Sequence, residues 1–355
     1  MDYNTQLRDL LELTLREQAS DLHISVGHPP TLRITGRLVP LVKMPKISAK
    51  DSEGLAQALL TPEQYQRLLR EKEIDFSYNF EDRARFRINT FFQKGAISIA
   101  LRLIPSKIRT IEELNLPPVL HRFTQPSQGF VLVTGPSSHG KSTTLAALID
   151  EINHTRSEHI ITIEDPIEYV FKDDRSIIDQ REVYQDTLSF ARALRATFRQ
   201  DPNVIMLGEM RDLETIATAL EAAETGHLIF ATLHTNNAAQ TIHRIVTVFP
   251  PEQQNQIRAQ LSGSLLGVIS QRLIPRIGGG LIPACEIMIN TPAVATLIRE
   301  NKIHELDFVI ETSAEIGMIS LNRSLANLIK AGEISLENAL IYSPNPLELR
   351  KLVKR

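Results

Sequence analysis

The stretch Gly135-Pro136-Ser137-Ser138-His139-Gly140-Lys141-Ser142 fits the pattern G-x-x-x-x-G-K-[ST], and it follows an uninterrupted apolar run, Phe130-Val131-Leu132-Val133. A loop that wraps phosphate oxygens must turn successive backbone N–H groups inward. Glycine allows those dihedrals, and a following helix adds the positive field of its N-terminus. Downstream, Leu145, Leu148, Ile149 and Ile152 recur at helical spacing, so the loop is expected between a strand and a helix. In that frame Lys141 contacts the β- and γ-phosphates and the Ser142 hydroxyl ligates Mg²⁺. A glycine turn with an incidental lysine would not need the strand and helix on either side. The candidate nucleotide-binding residues are Ser137, Ser138, His139, Gly140, Lys141, Ser142 and Thr143.

Three more apolar runs alternate with helical segments: Ile160–Ile163, Val204–Leu207 and Leu228–Leu233. That alternation predicts an α/β fold with a parallel sheet covered on both faces. Two of the runs end in carboxylates, the first at Glu164-Asp165 and the second at Gly208-Glu209. Ligands of open α/β sheets bind at the carboxyl ends of strands. Acids there hold Mg²⁺ through water or orient an attacking water. One such acid more often caps a helix or faces solvent; two beside a phosphate loop argue for function. The last run is flanked by His227 and His234, and a histidine at a strand's carboxyl end can reach a γ-phosphate.

The remaining sequence sets the frame. At 355 residues the chain has room for two domains. With 39 basic against 42 acidic residues, no tryptophan and no basic run, nothing suggests coating of nucleic acid by bulk charge. Cys285 is the single cysteine, which excludes an intrachain disulfide and a cysteine zinc site. No run of about 20 apolar residues predicts a membrane span, and the N-terminus does not read as a signal peptide.

Residues 5–19 predict a helix with Leu7, Leu10, Leu11 and Leu15 on one face, capped by Asn4 or Thr5. Short strands follow around residues 22–25 and 31–34, then a second helix after Thr61-Pro62, then paired strands over 83–92 and 96–104. This predicts an α+β domain over 1–105, a proline-marked linker over 106–118 and the ATPase-type domain over 119–355. From about residue 255 onward the chain reads as mostly helical.

Four ordered segments carry a family resemblance: Gly135–Thr143, Ile161–Glu168, Gly208–Asp212, and Ala223–His227 with Thr232–Thr235. They resemble the Walker A, Asp box, Walker B and His box of the secretion-superfamily ATPases, and within it the retraction ATPases of type IV pili. Ser20–His23, Arg85–Asn89, Ile178–Val183 and Val248–Pro250 extend the resemblance over nearly the whole chain. The resemblance implies a PAS-like N-terminal domain and a RecA-like P-loop ATPase core. It also implies ATP and Mg²⁺ as ligands, and a cytoplasmic homohexamer peripheral to the inner-membrane pilus machine. The implied partners are the inner-membrane platform protein and, indirectly, pilin, without nucleic acid or direct membrane insertion. By similarity Glu164 is the general base or water-orienting acid, Glu209 helps hold Mg²⁺, and His234 senses phosphate. The chain lacks the longer N-terminal region and four-cysteine site of the assembly ATPases, which favours retraction.

Two departures stand out. Ser137, Ser138 and His139 replace the usual Thr-Gly-Ser, so Ser138 is expected to strain the loop and His139 to bring an imidazole near the phosphates. Residues 295–302 match the retraction-linked helix motif only in part, which leaves an accessory retraction paralogue as the alternative reading. A RecA-like ATPase acting on nucleic acid is the other. Arg83, Arg85 and Arg87 alternate with apolar residues and imply a strand with one basic face, with Arg102 on the partner strand. Any one of them can be a solvated arginine; the resemblance instead places Arg102 and Arg87 beside a neighbouring subunit's ATP.

Overall fold

The computed structural model describes residues 2–34, 36–81, 83–104 and 107–354. The chain divides into two compact units, the first comprising residues 1–107 and 166–170 and the second residues 108–165 and 171–355. The domain edge expected at 105–106 lies outside the described residues. Of the expected linker, residues 108–118 group with the second unit.

The first unit opens with α1 (Tyr3–Arg16), which buries Leu7, Leu10 and Leu11. Its cap is Asp2, not Asn4 or Thr5. The Asp2 carboxylate accepts from the Asn4 backbone N–H and from the Thr5 hydroxyl, so it satisfies two donors at once. Three short strands follow, β1 (Asp21–Ile24), β2 (Thr31–Ile34) and β3 (Arg37–Pro40). Next comes α2 (Ala49–Leu59), which the sequence reading missed. Gly54 interrupts its pattern, yet the Tyr3 ring packs where a Cβ would stand there. The helix α3 (Pro62–Glu71) starts at the expected Thr61-Pro62 with a capping box. The strands β4 (Glu73–Phe80), β5 (Ala84–Gln93) and β6 (Ala96–Ile104) complete an antiparallel sheet in the order β3-β2-β1-β6-β5-β4. Leu22, Ile24, Phe86, Ile88, Ile99 and Leu101 are buried in one core with Leu10, Leu11 and Leu55. The alternate positions Arg33, Asp21, Arg102 and Arg87 stand in register across four strands.

The second unit runs β7 (Gly129–Thr134), α4 (Lys141–Thr155), β8 (His159–Glu164), β9 (Ile177–Glu182), α5 (Phe190–Thr197), β10 (Val204–Leu207), α6 (Leu213–Glu224) and β11 (Leu228–Leu233). It continues through α7 (Ala238–Thr247), α8 (Gln254–Ser264), β12 (Leu265–Pro275), β13 (Leu281–Ile289), α9 (Pro292–Arg299), α10 (Leu306–Thr312), α11 (Leu321–Lys330), α12 (Leu336–Tyr342) and α13 (Pro346–Lys354). The sheet order is β13-β12-β7-β11-β10-β8-β9, parallel except for the edge strand β13. The expected apolar runs are all buried within strands. The mostly helical reading after residue 255 is corrected by β12 and β13, which pair as an antiparallel hairpin. The run Leu265–Ile274 is mostly Leu, Ile and Val, and its Gly267 lies where a Cβ would collide with the Phe123 ring. Gly279 and Gly280, both at positive φ, turn the hairpin. No helix among the described residues is long and apolar enough to cross a membrane.

One side chain in this unit opposes the fold. Glu286 on β13 is buried, accepts a 2.8 Å hydrogen bond from the Ala238 N–H, and burial pushes its carboxyl up to about 7. Its folded value exceeds its unfolded one, so the folded state binds the extra proton. Stability therefore falls as pH rises from about 4.5 to 7 and stays reduced above that, by up to about 3 kcal/mol. Glu286→Gln keeps the acceptor and removes the charge. It is expected to raise the melting temperature at pH 8 by several degrees and to have little effect near pH 4.5. Equal melting temperatures for variant and wild type at both pH values would contradict the assignment.

Candidate active site

The phosphate loop is built by its backbone. Strand β7 delivers the chain to Gly135 at φ 144°, where a Cβ would run into the Gln271 carbonyl. Gly140, at φ 81°, is the residue before α4, and a Cβ there would lie 2.8 Å from Gln271 Nε2. Between them Ser138 holds φ 64°, a left-handed conformation that costs a non-glycine residue about 1–2 kcal/mol. The strain expected at this position is present. Lys141 is the first residue of α4 and is buried. Its Nζ donates to the Gly135 and Pro136 carbonyls at 2.9 Å each, so the ammonium lies inside the curve of the loop. Two positive-φ glycines, a helix N-terminus and an inward lysine make a cradle that fits a nucleotide's phosphates.

Around this loop the sheet brings three more groups. His234 follows β11, with Nδ1 3.4 Å from both Ser137 Oγ and Lys141 Nζ and Nε2 3.2 Å from Glu209 Oε1. Both neighbours of Nδ1 are donors and the neighbour of Nε2 is a carboxylate. The ring proton therefore belongs on Nε2. Glu209 follows β10, and its second oxygen pairs with Arg211 Nη2 at 2.9 Å. Burial alone would raise the Glu209 pKa, but Arg211 and then His234 outweigh it and hold the carboxyl below its usual value. The turn that carries it is tied to β11 by the Thr232 hydroxyl on the Gly208 carbonyl and by the Met210 N–H on the Thr232 carbonyl.

Glu164 closes β8 and is 5% exposed. Its Oε1 accepts from Thr162 Oγ1 at 2.7 Å and from Gln180 Nε2 at 3.1 Å. Thr162 is two residues back on the same strand face, and Gln180 stands opposite it in register on β9. The carboxylate is thus aimed by two donors. His227, at the start of β11, binds the Ala222 carbonyl at the strand's other end and belongs to the framework.

His139 is tied to β12. Its Nδ1 accepts a 2.8 Å hydrogen bond from the Leu273 N–H, and its carbonyl accepts from Gln271 Nε2 at 2.8 Å. The imidazole is anchored to β12 through Nδ1. Arg102 and Arg87 belong to the first unit. Arg102 Nε pairs with Asp21 at 2.9 Å while its side chain stays 66% exposed, and Arg33 reaches the other Asp21 oxygen. Arg87 pairs with Glu168 at 2.9 Å. Arg102 and Arg87 therefore each have an acidic partner within the unit, Arg102 sharing Asp21 with Arg33.

A profile of the family described as "Type II/IV secretion system protein" matches residues 5–319. The chain belongs to that family. Among its relatives is the Pseudomonas aeruginosa type IV pilus retraction ATPase PilT, 47% identical over 94% of this chain and 96% of its own. The type IV pilus ATPase PilU of the same organism is 38% identical over 98% of this chain and 91% of its own. A crystal structure of the pilus retraction motor PilT with bound ADP superposes with a TM-score of 0.90 at 47% identity, covering 97% of this chain and 98% of that one. The family membership fixes the second unit as a RecA-like P-loop ATPase core preceded by an N-terminal domain, and the protein as an ATPase of the secretion type.

Four participants escaped the sequence reading. Thr162 and Gln180, which aim Glu164, lie in segments quoted there, but only strand register shows that they converge. Arg211 stands two residues after Glu209 in the same motif. Gln271 had no readable signal, being more than 120 residues from the loop in sequence and inside a segment read as helical.

Proposed function

We propose that this secretion-family ATPase hydrolyses ATP to retract type IV pili. The observation that carries the reading is the convergence of Lys141, His234 and Glu209 on one phosphate loop. It occurs in a chain that matches a pilus retraction ATPase over 94% of its length. Bound Mg²⁺ would neutralise charge on the β- and γ-phosphates. Ser142, in the first turn of α4, and Glu209, through water, are the groups that would hold it. Glu209, kept ionised by Arg211, suits that task. Glu164, buried and aimed by Thr162 and Gln180, polarises the attacking water and takes its proton. Lys141 leaves the loop carbonyls for the phosphate oxygens and stabilises the charge that develops there. His234 joins Glu209 to Ser137 and Lys141, so a change at the phosphates reaches the Walker B turn through one ring.

The working form in this proposal is a homohexamer at the cytoplasmic side of the inner-membrane pilus machine. It acts on the platform protein and through it on pilin. Arg102 and Arg87 complete a neighbour's site, which requires each to exchange its acid for a phosphate. Exposed Arg102 is the better placed of the two. If Arg102 works only within its own subunit, mixed hexamers of Arg102→Ala and Lys141→Ala chains will recover no turnover.

Greater identity to the retraction ATPase than to PilU favours the main motor over an accessory paralogue. In a host strain lacking the chain, surface pili are expected to accumulate well above the parental number. Restoring the wild-type chain, but not the Glu164→Gln variant, should return them to normal. Unchanged piliation in the deletion strain would count against retraction.

A further inference from the structure

Strand β12 continues past its partner. The last β7–β12 pair is Thr134 with Ser270, and beyond it residues 271–273, still paired with β13 on one edge, face the phosphate loop on the other. The Gln271 side chain and the Leu273 N–H are spent on that loop, while Arg272 turns to Asn236. Gln271, 3% exposed, donates through Nε2 to the His139 carbonyl and accepts through Oε1 from Thr144 Oγ1 at 2.6 Å in the first turn of α4. Its own carbonyl occupies the space beside Gly135. The Leu273 N–H donates to His139 Nδ1. The loop from Gly135 to the first turn of α4 therefore rests on two residues of one strand, Gln271 and Leu273. Ser138, next to His139, is in a strained conformation that persists only where its surroundings impose it.

We propose that His139 and Gln271 are positioning residues that lock the phosphate loop in its nucleotide-receiving form, and that protonation of His139 opens the lock. The proposal rests on the reading of this loop as the ATP site. The step is set by geometry: Nδ1 receives an N–H, so the neutral ring must carry its proton on Nε2. A second proton would have to go on Nδ1, where it would face the Leu273 N–H donor. The two donors would repel, and the ring with its part of the loop would leave β12. The charged groups acting on this ring are Arg272 on β12 and Lys141 on α4, both cationic. Burial first, and then these two cations, hold the imidazole below its usual 6.5, which keeps the lock closed at neutral pH.

The test compares wild type with His139→Asn, His139→Ala and Gln271→Leu. Asparagine Oδ1 can accept from Leu273 and does not titrate. ADP affinity is measured by calorimetry from pH 5 to 8, and amide hydrogen exchange at Leu273 is followed without nucleotide at pH 7. At pH 8 the Ala and Leu variants should bind ADP about tenfold more weakly than wild type, the cost of one buried hydrogen bond, with the Asn variant within about threefold. ADP's own protonation affects every variant alike. The ratio of wild-type to Asn-variant affinity should therefore fall as the pH is taken from 8 to 5. Leu273 should exchange slowly in wild type and His139→Asn and fast in His139→Ala, a readout that a general loss of stability would spread over the whole sheet. The lock is overturned if wild type binds ADP and all three variants match it at every pH. It is also overturned if Leu273 protection is the same with alanine as with histidine. Absence of ADP binding to wild type at any pH would defeat the nucleotide reading instead, and the exchange at Leu273 would still decide the role of His139.

Discussion

Lys141→Ala is expected to lower ATP hydrolysis by about 10²–10³-fold, the scale of losing one preorganised donor to transition-state charge, while circular dichroism stays unchanged. The lysine is buried and its ammonium is shared between the Gly135 and Pro136 carbonyls, inside the curve of the loop. Its removal takes a donor from the buried Gly135 carbonyl and the part-buried Pro136 carbonyl, a cost of about 1–3 kcal/mol that leaves the fold intact. Nucleotide binding should weaken as well, because the same charge meets the phosphates in the ground state. Steady-state phosphate release is the measurement. Activity above about a tenth of wild type in a well-folded variant would refute the phosphate-loop assignment.

Glu164→Gln separates binding from chemistry. The side chain is the same size, and its remaining carbonyl oxygen can still accept from Thr162 and Gln180, the two donors that fix Glu164 Oε1. The site should keep its shape and ATP affinity should stay within about threefold, while turnover falls by about 10²-fold or more through the loss of a general base. Glu209→Gln should act differently. It removes a carboxylate that Arg211 and His234 keep ionised, so the Mg²⁺ concentration needed for half-maximal turnover should rise. Normal hydrolysis by both variants across a Mg²⁺ titration would show that neither acid has its assigned role.

What the sequence revealed and what it hid follow one physical division. The phosphate loop, its strand and helix, and the acids at the ends of β8 and β10 were legible because each is a local pattern. A buried strand in a parallel sheet is a continuous apolar run, and the loop's glycines and lysine are adjacent in the chain. Contacts made by register were hidden. Gln180 meets Glu164 only because β9 pairs with β8, and Gln271 meets His139 only because β12 outruns β7. The β12–β13 hairpin was overlooked although Gly278-Gly279-Gly280 between two apolar runs is a hairpin signal, because the flanking runs are long enough to pass for helices. For His139 the sequence placed a titratable ring in the loop. Its direction depended on a backbone N–H of Leu273 that no periodicity announces.

The central claim is that ATP turnover at Lys141, Glu164, Glu209 and His234 powers pilus retraction. Its most direct test is to image fluorescently labelled pili in living cells that carry the wild-type chain, no chain, or the Glu164→Gln variant, and to count retraction events per cell. The account predicts frequent retraction with the wild-type chain and near-complete loss in the other two, with extension continuing in all three. Retraction at the wild-type frequency in cells with Glu164→Gln as their only copy would contradict it.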